Sequence, residues 1–316
     1  MRLGLDTIVN ETVDILYDAY LNDSAAFKSS KEYPAKEGFF ELLQLQKVLF
    51  PDFFLPHARI SKTHIAMELT KLADHLMSSV AAYNTEEFAE AVVSETIKAL
   101  PSIRKSLKTD LIAAYAGDPA APGVAIIIRC YPGFQVTMIY RVAHILYTSG
   151  ERWYCRELME SAHSSTAIDI HPGATIGDHF FIDHGVGVVI GETAVIGEWC
   201  RIYQSVTLGA MHFQEEGGVL KRGTKRHPTV GDYVTIGAGA KLLGNITVGS
   251  YVRIGANCWI NSDIDDNQTV YISEHPTHKF KPCKSGCGER KSDEQILRMM
   301  SPSPASSSSP AEAGDN

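Results

Sequence analysis

The feature that most constrains the fold of this 316-residue chain is an aliphatic residue that returns at every sixth position of its second half. One run keeps this spacing without error, and it consists of Val230, Ile236, Leu242, Val248, Ile254 and Ile260. An earlier run repeats the pattern with one two-residue slip, through Ile170, Ile176, Ile182, Ile190, Ile196, Ile202 and Leu208. A period of six does not match the turn of an α-helix, around which these residues would spiral. The hexads therefore predict a solenoid of short strands.

Each hexad supplies one strand and one corner, with the aliphatic side chain pointing to the axis and a neighbouring Gly or small residue easing the bend. Three hexads close one triangular coil, and stacked coils bury the aliphatic columns that a single coil would expose. An ordinary β-sandwich with chance spacing is the alternative. Residues 210–226 carry no six-residue period, so we expect them to leave the coil as an extended loop.

The first half of the chain has a different texture. From Thr7 to about Ala114 apolar residues recur at helical spacing, and residues 134–153 and 156–164 predict two further helices. The fold class is therefore α+β. We expect an α-helical domain at 1–164, a β-helix at 165–276 and a tail at 277–316 that is rich in Ser, Pro and Ala and largely disordered.

Composition limits the classes of function. A formal net charge of -8 argues against a general nucleic-acid binder, which needs a basic surface. No stretch approaches the roughly 20 apolar residues of a membrane span, so a cytoplasmic protein without membrane contact is expected. The cysteines are scattered through the chain, which predicts reduced thiols. Cys283 and Cys287 have no second Cys or His pair at zinc spacing, so no metal site is expected.

Residues suited to acid–base chemistry concentrate at three points of the solenoid, which are Asp169 with His171, Asp183 with His184, and Arg226 with His227. Imidazole is the side chain best placed to take a proton from a hydroxyl near neutral pH. Asp169 and His184 are separated by almost one coil, so stacking could bring them together, and a carboxylate on one imidazole nitrogen would fix its tautomer. The same residues could instead only cap the corners of the coils.

Several motifs occur together in residues 110–262, and the chain resembles the serine acetyltransferase family in their identity and order. They are Asp169-Ile170-His171-Pro172, Asp183-His184-Gly185-Val186-Gly187, Gly191-Glu192-Thr193-Ala194-Val195-Ile196-Gly197, Gln204-Ser205-Val206-Thr207-Leu208-Gly209 and Arg226-His227-Pro228. The resemblance implies a left-handed parallel β-helix that forms a homotrimer or a dimer of trimers, with sites between neighbouring subunits. The implied reaction moves the acetyl group of acetyl-CoA to L-serine without an acyl-enzyme or a permanently bound cofactor.

The resemblance also implies roles for individual residues. His184 would be the general base, with Asp169 as its orienting partner. Asp118 and Asp183 would hold the substrate amine and Arg226 its carboxylate, pairings that suit their charges. His227 would lie near the reacting thioester. The positions that line the acetyl-CoA groove in the family correspond to Gly209, Ala238, Arg253 and Ala256.

The chain departs from the family at two points. In place of a short glycine-rich loop of the form GGTGK, it has a longer excursion with four basic residues, Lys221, Arg222, Lys225 and Arg226. These either form a solvated face or recognise a second anion, such as the phosphate of O-phosphoserine. The sequence given ends in Gly314-Asp315-Asn316 rather than isoleucine, so docking to O-acetylserine sulfhydrylase is doubtful.

Three other functions remain open on the sequence. They are acetyl transfer to homoserine or a sugar, a metal-dependent hydratase on the same kind of solenoid, and a scaffold without catalytic activity. An amino acid acceptor is favoured by Asp118, Asp183 and Arg226.

Overall fold

The computed structural model describes residues 3–23, 40–55, 60–211, 215–216, 219–220 and 223–273. The predicted tail at 277–316, with Cys283 and Cys287, lies outside these residues, as do Lys221 and Arg222 of the basic excursion. Among the described residues, none of the helices has both the length and the apolar character needed to span a bilayer. The same residues hold no group of three or more His, Cys, Asp or Glu able to bind a metal ion.

The first part of the described chain is helical, as predicted. Its helices are α1 (Leu3–Leu21), α2 (Phe40–Leu49), α3 (Lys62–Ala81), α4 (Glu86–Gly117), α5 (Val124–Cys130), α6 (Pro132–Thr148) and α7 (Tyr154–Thr166), with a short 3₁₀ helix at Pro51–Phe53. Side-chain caps begin two of them, because Ser61 accepts a hydrogen bond from the backbone N–H of His64 and Thr85 accepts one from Phe88. The two helices predicted at 134–153 and 156–164 are α6 and α7.

The second part forms a triangular coil with three parallel sheets as its faces. Sheet A holds β1 (Asp169–Ile170), β4 (Val189–Ile190), β7 (Thr207–Gly209), β12 (Lys241–Leu243) and β15 (Trp259–Ile260). Sheet B holds β2 (Thr175–Ile176), β5 (Val195–Ile196), β10 (Thr229–Val230) and β13 (Thr247–Val248). Sheet C holds β3 (Phe181–Ile182), β6 (Arg201–Ile202), β11 (Thr235–Ile236), β14 (Arg253–Ile254) and β16 (Thr269–Val270). The predicted solenoid is therefore a parallel β-helix.

Burial confirms the role of the hexads. Each aliphatic residue of the two runs is buried, from Ile170 at 0% exposure to Ile260 at 9%. Coils stack in register, as when Val189 pairs with Thr207 and Ile190 with Leu208. Burial of aliphatic side chains is the main free-energy gain of such a fold, at roughly 25 cal/mol for each Å² of apolar surface removed from water.

The excursion between β7 and β10 contains a small antiparallel pair that the sequence analysis did not predict. Strand β8 (Glu215–Glu216) pairs with β9 (Val219–Leu220), so that Glu215 lies opposite Leu220. A Gly-Gly dipeptide separates the two strands in the sequence. Such a dipeptide is a hairpin signal, which the search for a six-residue period passed over.

The helices contact the first coil. Both α4 and α6 contact β3, and α7 contacts β1. A buried ion pair reinforces this junction, because Arg141 of α6 binds Asp110 of α4 through two hydrogen bonds of 2.9 Å. Asp110 also accepts a hydrogen bond from the backbone N–H of Phe180, and Arg141 donates one to the carbonyl of Gly177. The pair thus joins two helices to the coil.

Candidate active site

The corner between sheets C and A carries Asp183 and His184. His184 has a left-handed backbone with φ of 61°, and Gly185 follows with φ of 86°. A side chain at Gly185 would also collide with Ile168, because its Cβ would lie 2.4 Å from Cδ1. This tight corner leaves the Asp183 side chain 10% exposed and the His184 side chain 71% exposed, with Oδ1 of Asp183 3.8 Å from Nε2 of His184.

The next coil places a cation beside this corner. Arg201 of β6 pairs in register with Phe181 of β3, and its Nη2 lies 2.6 Å from Oδ2 of Asp183. The guanidinium carbon lies 5.3 Å from the ring centre of Phe181 and 4.5 Å from that of Tyr203. Two aromatic rings and one carboxylate therefore hold this side chain.

A loop of the helical domain reaches the same place. Asp118 is the C-cap residue of α4, accepts a hydrogen bond of 2.8 Å from the N–H of Ala120 and accepts another from the hydroxyl of Tyr131. The hydrogen bonds from Tyr131 and from the N–H of Ala120, together with the charge of Arg201, hold the pKa of Asp118 below its usual value. Burial and then the nearby carboxylate of Asp118 raise the pKa of Tyr131 to about 12. We call these five residues, Asp118, Tyr131, Asp183, His184 and Arg201, the Asp183 group.

A second group lies at the corner between sheets A and B. Nη2 of Arg226 lies 2.6 Å from Oε2 of Glu192, and the hydroxyl of Tyr147 donates a hydrogen bond of 2.8 Å to Oε1. Burial acts to raise the pKa of Glu192, but the hydrogen bonds from Arg226 and Tyr147 outweigh it and hold the pKa below its usual value. Glu192 is therefore an ionised carboxylate that orients Arg226.

His227 belongs to this second group and has a defined tautomer. The backbone N–H of Thr193 donates to Nδ1 over 3.1 Å, and the Thr193 hydroxyl lies 2.8 Å from the same nitrogen. Because a backbone N–H can only donate, Nδ1 is an acceptor and Nε2 carries the proton. Burial, followed by the charge of Arg226, lowers the pKa of His227 to about 4. The ring is therefore neutral at pH 7 and offers an N–H donor. We call Tyr147, Glu192, Thr193, Arg226 and His227 the Glu192 group.

Comparison with known proteins identifies the family to which this fold and these motifs belong. Residues 227–262 match the model of the bacterial transferase hexapeptide family. The chain is 44% identical over 303 residues to a plasmid-encoded serine acetyltransferase of Synechococcus elongatus, covering 88% of this chain and 93% of the relative. The chain belongs to the serine acetyltransferase family.

Solved structures of serine acetyltransferases support the same assignment. The structure of Entamoeba histolytica serine acetyltransferase 1 in complex with L-cysteine has 68% sequence identity and a TM-score of 0.83, and it matches 85% of this chain and 100% of its own. The Neisseria gonorrhoeae serine acetyltransferase in complex with serine has 28% identity and a TM-score of 0.52, over 78% of this chain and 100% of its own. This chain is thus an acyltransferase, and its coil is of the left-handed parallel β-helix class that the sequence predicted.

The structure brings some predicted site residues together and leaves others apart. Asp118, Asp183 and His184 share the Asp183 group, whereas Arg226 and His227 lie in the Glu192 group. Among the hydrogen bonds and ion pairs of the described residues, none joins the two groups. They lie at the two corners that flank sheet A.

Among the hydrogen bonds and ion pairs of the described residues, none joins Asp169 to His184. Oδ1 of Asp169 lies 3.5 Å from Nη1 of Arg156, which α7 supplies. The side chain of Asp169 emerges from β1 on sheet A, while His184 stands at the corner before that sheet. Its predicted role as the orienting partner stays a prediction.

Three of the four positions predicted for the acetyl-CoA groove lie on sheet C or at the corner between sheets C and A. Ala238 and Ala256 follow β11 and β14, and so occupy the C–A corner in the coils after that of His184. Arg253 lies on sheet C in register with Thr235, which in turn pairs with Arg201. Gly209 ends β7 on sheet A.

Sequence analysis assigned no role to Tyr131, Arg201, Glu192 or Thr193. Glu192 and Thr193 lie within the motif at residues 191–197. Their partners, Arg226 and His227, come much later in the sequence, at the end of the excursion, so the motif alone does not reveal these contacts. Arg201 occupies the outward position before the core residue Ile202, where a charged residue is ordinary. The signal that could have found it was its stacking register with Phe181.

Proposed function

We propose that this chain transfers the acetyl group of acetyl-CoA to the hydroxyl of L-serine, giving O-acetylserine and CoA for cysteine biosynthesis. The observation that carries the proposal is the exposed imidazole of His184 beside the carboxylates of Asp183 and Asp118. A base next to two anions suits an acceptor that carries both a hydroxyl and an ammonium group.

The two groups divide the recognition of an amino acid between them. Asp118 and Asp183 are the partners for the substrate ammonium, because both offer carboxylate oxygens near His184. Arg226 is the partner for the substrate carboxylate, and Glu192 holds its guanidinium in place at 2.6 Å. A planar guanidinium can bind a carboxylate through two parallel hydrogen bonds.

The proposed reaction needs one base and one donor. His184 takes the proton from the serine hydroxyl as the oxygen attacks the thioester carbonyl carbon, and a tetrahedral oxyanion forms. The Nε2–H of His227 stabilises this oxyanion, because the ring is neutral and its proton lies on that nitrogen. When the intermediate collapses, the C–S bond breaks and His184 returns the proton to the CoA thiolate. Asp169 would orient His184 when the ligands are bound.

The separation of the two groups supports a site shared between subunits. Each chain presents the Asp183 group at one flank of sheet A and the Glu192 group at the other. In a closed threefold assembly, the first flank of one copy meets the second flank of the next, which completes three equal sites. We therefore propose a homotrimer, with the helical domains available to join two trimers into a dimer of trimers.

Acetyl-CoA would lie along the C–A corner that leads away from His184. The small side chains of Ala238 and Ala256, with Gly209, let the pantetheine arm approach the backbone, and Arg253 would meet a CoA phosphate. No further cofactor is proposed. The free thiols of Cys155 and Cys200 accord with a reducing compartment, which supports a cytoplasmic location.

A panel of acceptors tests this function. The purified chain is incubated with acetyl-CoA and either L-serine, O-phosphoserine or homoserine, and CoA release is followed with a thiol reagent. We expect L-serine to give the highest kcat/KM. If O-phosphoserine gave the higher value, the acceptor assignment would be wrong, and if no acceptor released CoA, the proposed reaction would be wrong.

A further inference from the structure

Arg201 stands inside the acceptor part of the proposed site, although the proposed reaction gives it nothing to do. Its Nη2 lies 2.6 Å from Oδ2 of Asp183, and its side chain is 26% exposed. The rings of Phe181 and Tyr203 lie on its guanidinium at 5.3 Å and 4.5 Å. A cation held by stacking and by a charge-assisted hydrogen bond is a fixed part of the site.

This contact changes what Asp183 can offer a ligand. One carboxylate oxygen is engaged by Arg201, and the other faces His184 at 3.8 Å. Because the Asp183 side chain is 10% exposed, its charge interacts with Arg201 more strongly than a solvated carboxylate would. A substrate ammonium that approaches Asp183 thus meets a carboxylate whose charge is already neutralised in large part.

The orientation of Arg201 also argues against its being a second anchor for a ligand carboxylate. Nη2 is taken by Asp183, and Nε is buried and has no hydrogen-bond partner among the described residues. A bidentate grip on a carboxylate requires two free N–H groups side by side.

We infer that Arg201 sets the affinity of the site for the acceptor, by occupying Asp183 as an internal substitute for the substrate ammonium. This inference rests on the proposed function, because it takes Asp183 as the partner of that ammonium. The ammonium group of serine must displace Arg201 from Asp183 or share this carboxylate with it. This competition weakens the binding of serine. Arg201 is therefore an affinity-determining residue of the acceptor site.

The test compares Arg201→Met with the wild-type enzyme. Methionine keeps much of the stem that packs on Phe181 and Tyr203 and removes the charge. We expect KM for L-serine to fall about three- to tenfold, because the partly buried ion pair of Arg201 with Asp183 no longer competes with the substrate ammonium. The change in kcat should be smaller than the change in KM. With 3-hydroxypropanoate, which has no ammonium group, kcat/KM is expected to show no such gain.

Two further variants separate charge from structure. Arg201→Lys keeps a cation beside Asp183 and should keep KM near the wild-type value. Lys98→Met removes an exposed charge that pairs with Glu95 on α4, away from the site, and should leave KM unchanged. If Arg201→Met does not fold, Arg201→Gln provides the same loss of charge with a polar side chain.

An unchanged or higher KM for serine in Arg201→Met, or an equal gain with 3-hydroxypropanoate, would overturn the inference. A lower KM in Arg201→Lys equal to that in Arg201→Met would also overturn it. The wild-type rate with serine tests the proposed function separately, because only the ratio between variant and wild type depends on Arg201.

Discussion

The imidazole of His227 lies directly against the Cα of Gly191. A Cβ added at Gly191 would stand 2.1 Å from Cδ2 and 2.2 Å from Nε2 of the ring. No side chain fits there unless the imidazole moves. We expect Gly191→Ala to displace His227 and lower kcat about tenfold or more, since a displacement near 1 Å at a reacting centre can cost two orders of magnitude.

Gly4→Ala is the control for this substitution. Its Cβ would touch only the flexible end of Glu90 at 3.4 Å, within α1, where alanine is the better helix former. Steady-state kinetics of both variants gives the comparison. Equal kcat values in Gly191→Ala and the wild-type enzyme would show that the position of His227 has no effect on turnover.

The low pKa of His227 predicts an acid-sensitive fold. The folded value is about 4, below the ordinary value of 6.5, so the unfolded chain binds the proton more tightly. Stability is thus complete above pH 6.5 and falls as the pH drops toward 4. We expect the free energy of unfolding to lose about 1–2 kcal/mol from this residue between pH 7 and pH 5. His227→Asn keeps an acceptor for Thr193 without a titrating ring, so its Tm should fall less over that interval, and an equal fall would contradict the assignment.

The buried pair of Asp110 and Arg141 should contribute strongly to stability. Asp110→Ala leaves a buried guanidinium without its carboxylate and removes the acceptor for Phe180, so we expect a loss of about 3–5 kcal/mol. Glu95→Gln breaks the exposed pair with Lys98 on the same helix and should cost no more than about 0.5 kcal/mol. Chemical denaturation measures both. Similar losses in the two variants would rule out a special role for the junction.

A site shared between subunits predicts complementation. His184→Ala and His227→Ala each inactivate every site when alone. When equal amounts of the two variants assemble at random, about one quarter of all sites would regain both histidines, because each site takes the Asp183 group from one subunit and the Glu192 group from its neighbour. Co-expression followed by a CoA-release assay measures the recovery. Mixed trimers without recovered activity would mean that both groups act within one chain.

The coil could be predicted from the sequence because its determinants are local and periodic. Each hexad places its own aliphatic residue at the axis. Ile176, Ile202 and Leu242 are all buried, as their positions in the repeat predict. Nothing but the period of six is needed to assign them. The helices α6 and α7 followed in the same way from their own apolar spacing.

The contacts of the candidate site depend on how separate coils stack, which residue types alone do not specify. The pairing of Arg226 with Glu192 spans the excursion, and that of Arg201 with Asp183 joins two coils. Asp169 illustrates the limit, because its spacing of almost one coil from His184 does not specify which side chain it meets in the folded chain. In this structure Oδ1 of Asp169 lies 3.5 Å from Nη1 of Arg156, and helix α7, which supplies Arg156, contacts β1.

The most direct test of the account is the turnover of His184→Ala with L-serine and acetyl-CoA, measured by CoA release beside the wild-type enzyme. If His184 is the general base, kcat should fall by about 10²-fold or more, because the hydroxyl proton then has no acceptor. The variant should still melt near the wild-type Tm, because the imidazole is 71% exposed. Turnover close to that of the wild-type enzyme would contradict the proposed chemistry.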